Sequence, residues 1–207
     1  MIITDIKKGR KYLSSVYIDG ELAVKLDTRV VLENGIRAGL EIDDEKLKEY
    51  IDLSNTRRAK EKALWLISSR DHSKKELIDK IAKTSDKESA RMAADRMEEL
   101  GLVNDEKFAR RYLDELLNIK HLSKRGAKYK LIQKGIDKDL IDEILEDTEV
   151  DPKENIRAVI EKKYFKNLSD EKVKRRCIAA LQRMGYGYSD INSVIKEYIE
   201  DEYYNEF

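Results

Sequence analysis

A single cysteine, Cys177, leaves this chain nothing with which to close an internal disulfide. Residues 1–6 carry no basic segment and no long apolar stretch of a secretory leader, so a reducing cytoplasm is the expected location. No run approaches the ~18 apolar residues that a membrane-spanning helix needs, and no membrane contact is expected. One proline and nine glycines in 207 residues favour helix and argue against an all-β fold. Two histidines, His72 and His121, lie far apart and have no second cysteine to join them, so no zinc cluster can form. There is no Gly-x-x-x-x-Gly-Lys loop, and no Gly-x-Gly-x-x-Gly follows a strand. No cofactor, no metal and no catalytic set are therefore expected, and the chain does not read as an enzyme.

Charge, by contrast, is abundant. Acidic and basic residues make up 41% of the chain, well above the usual quarter, and balance to a net charge of zero. Such a surplus suits long amphipathic helices with solvated outer faces. The balance is not local, however. Residues 116–136 contain no acid and hold Lys120, Lys124, Arg125, Lys128, Lys130 and Lys134. Residues 172–189 again contain no acid and hold Lys172, Lys174, Arg175, Arg176 and Arg183. Between them residues 137–151 are acidic, as is the tail from Glu197 to Glu206. Local asymmetry of this kind, not the total, points to a charged partner.

The first 50 or so residues differ from the rest. Strands are predicted over 2–6, 11–18 and 21–26, with Asp19-Gly20 as a type I′ hairpin turn, in which both central residues need positive φ. Asp27 should cap a short helix that stops at Asn34-Gly35, and a further short helix is predicted from Asp43 through Tyr50. After Ser54 the helical period takes over. Apolar rows recur in three blocks of three helices, beginning near residues 57, 105 and 153, which is the spacing of a helical repeat. Ser73, Ser123 and Ser169 are expected to cap the second helix of each block. Ser73-Lys-Lys-Glu76 and Ser85-Asp-Lys-Glu88 read as capping boxes, and Asp151-Pro152 as an N-cap followed by proline at the first helical position. The expected fold is mainly α: tandem three-helix repeats in an elongated curved rod, with a small N-terminal β-hairpin module. The expected divisions are 1–53 for that module, then repeats over 54–103, 104–150 and 151–207, the last including the acidic tail.

Within this frame His72 reads as a cap or surface residue, and Cys177 as a small hydrophobe on an apolar helix face. Trp65 and most tyrosines fall at helical spacing, for which core or half-buried packing is the ordinary outcome. The two acid-free basic segments stand out because they occupy the same place in consecutive repeats. If each second helix turned its cations to one side, the result would be a stripe able to track a phosphate backbone or an acidic protein groove. Tyr129, Tyr186 and Tyr188 lie among these cations and are candidates to stack on bases.

Four segments, in this order, carry a resemblance that spans essentially the whole chain. They are Arg70-Asp-His-Ser-Lys-Lys-Glu-Leu77 after Ala63-Leu64, Gly101-Leu-Val-Asn-Asp-Glu-Lys-Phe-Ala109, Leu131-Ile-Gln-Lys-Gly-Ile136, and Leu181-Gln-Arg-Met-Gly-Tyr186 with Ile191. Together they resemble the RecX family of bacterial regulatory proteins, in its longer form with an N-terminal β extension. Ser123 stands where many members have glycine, Gly126 falls inside the first helical turn, and Met184 replaces a frequent basic residue. The resemblance implies a non-enzymatic modulator, usually an inhibitor, of RecA recombinase, acting in recombination, DNA repair and the SOS response. It implies binding in the helical groove of the RecA–DNA filament, with suppression of ATP hydrolysis and strand exchange. A monomer is expected, with the RecA filament as partner and single- or double-stranded DNA as a further one. The alternative from the residues alone is a stand-alone nucleic-acid-binding module. The partner-binding candidates are the eleven cations named above.

Overall fold

A computed structural model gives the architecture; it describes residues 1–10 and 12–205, the side chains from 200 onward excepted. It is mostly helical, with one small sheet, and divides into two compact units, residues 1–104 and 105–207.

In the first unit, β1 (Ile3–Lys8), β2 (Leu13–Ile18) and β3 (Glu21–Asp27) form an antiparallel sheet in that order. Asp19 and Gly20 both have positive φ, 51° and 90°, as the two-residue turn requires, and Ile18 pairs with Glu21 across it. Alternation along β2 turns Ser14, Val16 and Ile18 inward. There Val16 and Ile18 pack with Ile3, Leu26, Val31, Ile36, Ile42 and Tyr50. Asp27 caps α1 (Thr28–Glu33) by accepting from the Arg29 amide.

The next element departs from expectation. The two helices predicted on either side of Ser54 are one, α2 (Asp44–Ser69), and the boundary read at 53/54 falls inside it. The polar run Asp52-Leu-Ser-Asn55 contains no glycine or proline to break a helix. Ser54 is buried, and its hydroxyl accepts from the Asp27 amide at 2.8 Å, so the polar position ties the helix to the sheet. The far half of α2 packs Ala59, Ala63 and Leu66 against α3 (Lys74–Ile81) and α4 (Lys87–Glu99). Ala90, Ala93 and Ala94 are buried there, and such small side chains let helix axes approach closely.

The second unit holds two three-helix groups, each with its own core. The first is α5 (Asp105–Asp114), α6 (Lys124–Gln133) and α7 (Lys138–Glu146), packed on Leu113, Leu116, Leu131 and Ile141. One wide turn, Glu115–Ile119, extends α5 as π-helix and puts the neighbours Leu116 and Leu117 both into the core. The second group is α8 (Pro152–Lys163), α9 (Glu171–Arg183) and α10 (Tyr188–Asn205), packed on Ile156, Ile160, Cys177, Leu181 and Ile191. Of the acidic tail expected from Glu197 to Glu206, all acids but Glu197 lie outside the described side chains.

Ser73, Ser123 and Asp151 cap their helices as read from the sequence. Two caps differ by one residue. Asp86, not Ser85, accepts from the Ser89 amide, and Asp170, not Ser169, accepts from the Lys172 and Val173 amides. In both places a carboxylate stands next to the serine, and an ionised acceptor makes the stronger bond to a helix N-terminus. Among the described residues no helix is long and apolar enough to cross a membrane.

Candidate interaction face

The geometry that matters lies where the second helices of the two groups meet. The Ser123 amide and hydroxyl both donate to the Met184 carbonyl, at 3.1 and 3.3 Å, while the same hydroxyl caps α6 by accepting from Gly126. Gly185 has φ of 98° and ends α9, its amide donating to Gln182 and the next amide, of Tyr186, to Leu181. The start of α6 is thus pinned to the end of α9. His121 completes the join. Its φ is 51°, its carbonyl accepts from the Tyr186 hydroxyl at 2.8 Å, and its Nδ1 lies 3.0 Å from Asn155 Oδ1 on α8. Tyr186 is buried, and that burial raises its phenol well above the usual tyrosine range. A buried, hydrogen-bonded Tyr186 offers no face for stacking, which removes it from the candidate stacking residues. Tyr129 and Tyr188 remain exposed.

The eleven candidate cations do not share one environment. On α9, Lys172, Arg176 and Arg183 stand four and seven residues apart, a spacing that lines them along one helix stripe. The buried residues of this helix, Cys177 and Leu181, face away from that stripe, and all three cations are exposed. None of the three has an ion-pair partner among the described residues. Lys174 and Arg175 lean toward Glu171 at 3.6 and 4.0 Å. The cations of α6 are split around the helix. Lys124 and Lys128 turn to α7, where Lys124 donates to the Leu145 carbonyl at 2.8 Å and Lys128 pairs with Asp142. Arg125 is exposed on the outer side with Tyr129, and Lys130 is exposed without an ion pair among the described residues. Lys134 lies 5.7 Å from the Tyr112 ring centre, and Lys120 both covers that ring at 5.5 Å and pairs with Glu115 at 2.8 Å. The stripe predicted for both helices is therefore continuous only on α9. A helix of ten residues with core on Ala127 and Leu131 cannot turn cations at 124, 125, 128, 130 and 134 to one side.

Two other sequence readings change. His72 is 3% exposed, not a surface residue. Its Nδ1 bonds the Arg70 carbonyl at 2.8 Å, its Nε2 lies 2.9 Å from the Lys80 ammonium, and burial lowers its pKa from 6.5. Trp65 is 62% exposed, because it stands one place off the row Ala59, Ala63, Leu66 that meets the core, and Lys62 covers its ring at 4.0 Å. Cys177 is buried as expected, and burial pushes its thiol up to about 11, so it stays protonated and unreactive near neutrality. Sequence reasoning also passed over the turn between α8 and α9, where Lys162, Lys163 and Lys166 surround an exposed Phe165. Asp170 and Glu171 separate this segment from the acid-free run that begins at Lys172.

Comparison with known proteins follows the same boundaries. A family profile described as the second three-helix domain of RecX matches residues 104–145, and one described as the third three-helix domain matches 149–195. The regulatory protein RecX of Caldanaerobacter subterraneus subsp. tengcongensis is 33% identical, over 84% of this chain and 90% of its own length. That of Clostridium perfringens strain 13 is 30% identical, over 97% and 98%. Two solved structures have the same fold. A crystal structure of regulatory protein RecX has a TM-score of 0.58 at 18% identity, covering 93% of this chain and 98% of its own. That of RecX from Lactobacillus salivarius has 0.54 at 22% identity, covering 70% and 96%.

Proposed function

The chain belongs to the RecX family of regulatory proteins, which are not enzymes, and from that premise we propose that it binds the filament formed by RecA recombinase on DNA and lowers its ATP hydrolysis and strand exchange. It does so as a cytoplasmic monomer lying in the filament groove. The observation that carries this reading beyond the family is the row Lys172, Arg176 and Arg183 on α9. It is exposed, has no ion-pair partner among the described residues, and ends at the α9–α6 join beside Arg125. A polyanionic filament is the kind of surface such a row complements, since each phosphate it neutralises releases counterions. The remaining cations, Lys120, Lys124, Lys128, Lys130, Lys134, Lys174 and Arg175, contribute to the field around this face, but several are already satisfied within the chain.

The test is to add the protein to RecA on single-stranded DNA and follow ATP hydrolysis across a wide concentration range. A falling rate, with the protein sedimenting alongside the filament, is expected. An unchanged rate with no co-sedimentation would overturn the proposal. A second reading is favoured by the exposed Tyr129 and Tyr188 close to these cations: the same face binds the phosphate backbone of DNA without RecA. It predicts affinity for naked DNA that falls linearly in the logarithm of salt concentration.

A further inference from the structure

The turn between α8 and α9 forms a second cationic feature, which shares Arg176 with the α9 row and is otherwise built from other residues. Lys162, Lys163, Lys166 and Arg176 line a cleft of about 440 Å³ together with Phe165. Burial of Leu168 anchors the turn to the core of its group. Phe165 does not follow it inside and remains 51% exposed. Its ring is held edge-on to Tyr198 of α10, centroids 6.0 Å apart and planes at 74°. Tyr198 is fixed in turn, since its hydroxyl donates to Glu161 at 2.8 Å. Glu161 is the one carboxylate among the residues lining the cleft, and its Oε1 accepts that hydrogen bond. None of the four cations has an ion-pair partner among the described residues.

Exposing a phenyl ring costs hydrophobic stabilisation, and crowding four cations together costs Coulomb energy. A ligand that is both anionic and flat would relieve both. An acidic peptide would satisfy the lysines and leave the ring idle. Duplex DNA would offer phosphates but keeps its base faces stacked inside. We infer that the cleft is a single-stranded nucleic-acid subsite, in which one unstacked base lies on Phe165 while Lys162, Lys163, Lys166 and Arg176 hold the flanking phosphates. This is the pairing of aromatic platform and cationic track by which proteins bind single strands without reading sequence. The assignment stands whether or not the chain binds RecA, because it rests on this cleft alone.

The test uses the full chain, no other protein, and a fluorescent oligothymidylate of about 20 nucleotides. Binding at low salt is expected, tighter than to a duplex of equal length, and polyglutamate at equal charge should compete poorly. Phe165→Leu keeps an apolar contact for Tyr198 and should weaken oligothymidylate binding at least about fivefold, the lower range for a lost base stack. Changing Lys162, Lys163 and Lys166 together to Gln should lower the salt slope by about 2. A readout independent of any loss comes from Phe165→Trp in a Trp65→Phe background, where the new indole is the only one in the chain. Its fluorescence should be quenched as the oligonucleotide binds. Equal affinity of Phe165→Leu and the parent, binding without quenching of the Trp at 165, or displacement by polyglutamate as effective as by oligothymidylate would each overturn the inference.

Discussion

Gly126 and Gly185 meet backbone to backbone: a Cβ on Gly185 would lie 2.6 Å from the Gly126 nitrogen, and one on Gly126 would lie 2.2 Å from the Met184 carbonyl oxygen. The obstruction at Gly126 is main chain, and at Gly185 it is the capping Ser123 hydroxyl together with the Gly126 main chain, none of which can swing aside as a long side chain would. On an open helix, alanine in place of glycine gains up to about 1 kcal/mol. Here the sign should reverse. Gly126→Ala is expected to destabilise the protein by about 2 kcal/mol or more, an overpacking penalty. The measurement is urea unfolding of the full chain, joined to amide exchange at Ser123, whose N–H is bonded to Met184. An alanine variant as stable as the parent, with Ser123 still protected, would mean that the two helix ends do not meet this closely.

That close approach was only half legible in the sequence. Gly185 stands at a helix stop, where positive φ makes glycine expected, and the reading found it. Gly126 sits in a first helical turn, where nothing local asks for glycine. Only the neighbouring group, 59 residues further along, explains it. The same holds for the interaction face. Runs without acids located α6 and α9 correctly, because composition is a property of the segment. They could not say which cations were spent, since Lys128 meets Asp142 and Lys124 meets a carbonyl on the following helix. Helix rows, the Asp19-Gly20 turn and most caps were readable because they depend on spacing within a few residues. The unbroken α2 was not, because its continuity is decided by Ser54 meeting Asp27 across the first unit.

His72 makes the first unit sensitive to acid. In the folded chain the imidazole is neutral: Nδ1–H donates to Arg70, Nε2 accepts from Lys80, and burial, followed by the Arg70 and Lys80 charges, opposes a second proton. The bond to the Arg70 carbonyl and, more weakly, Glu76 work the other way without prevailing. Unfolded, the same ring takes up a proton near its ordinary value of 6.5. Below that pH the unfolded state therefore binds more protons than the folded one, and stability must fall as pH falls. The stabilisation is fully present above 6.5 and is lost on the way down through the lowered folded value. The urea midpoint of the parent should drop between pH 7.5 and 5.5 by more than that of His72→Asn, which costs stability at both pH values but has no proton to gain. Parallel pH profiles would show that the ring is already solvated in the native state.

The displaced cap at α4 gives a clean pair of substitutions. Asp86 accepts from the Ser89 amide at 2.8 Å, and that bond, more than any other cause, holds its carboxyl below the usual 3.8. Asp86→Ala should cost about 1 kcal/mol, the usual worth of an N-cap, whereas Ser85→Ala should cost a few tenths at most. The depressed carboxyl contributes stability above pH 3.8 that disappears as pH falls through its folded value, so the gap between the two variants should close in acid. Thermal melts at pH 7 and at pH 3 would read both effects. Equal losses from the two alanines would return the cap to Ser85.

The split of the α6 cations and the alignment of those on α9 separate function from stability. Lys128→Glu would set two acids against each other at the Asp142 contact, so it should lower the melting temperature by a few degrees, about 1 kcal/mol in a domain of this size. Any loss of action on RecA in that variant would be hard to read. Lys172, Arg176 and Arg183 make no such contact among the described residues, and changing all three to Glu should leave the melting temperature nearly unchanged. If the α9 row meets the filament, the triple variant should need at least about tenfold more protein to reach the same suppression of RecA ATP hydrolysis. Phosphate contacts worth even half a kcal/mol each would combine to that factor. Because Arg176 also lines the cleft beside Phe165, a Lys172→Glu, Arg183→Glu double variant measured alongside on naked DNA assigns the face. A loss confined to the filament assay supports the RecA reading, an equal loss in both supports direct DNA binding, and full activity in both would remove the α9 row from the contact surface.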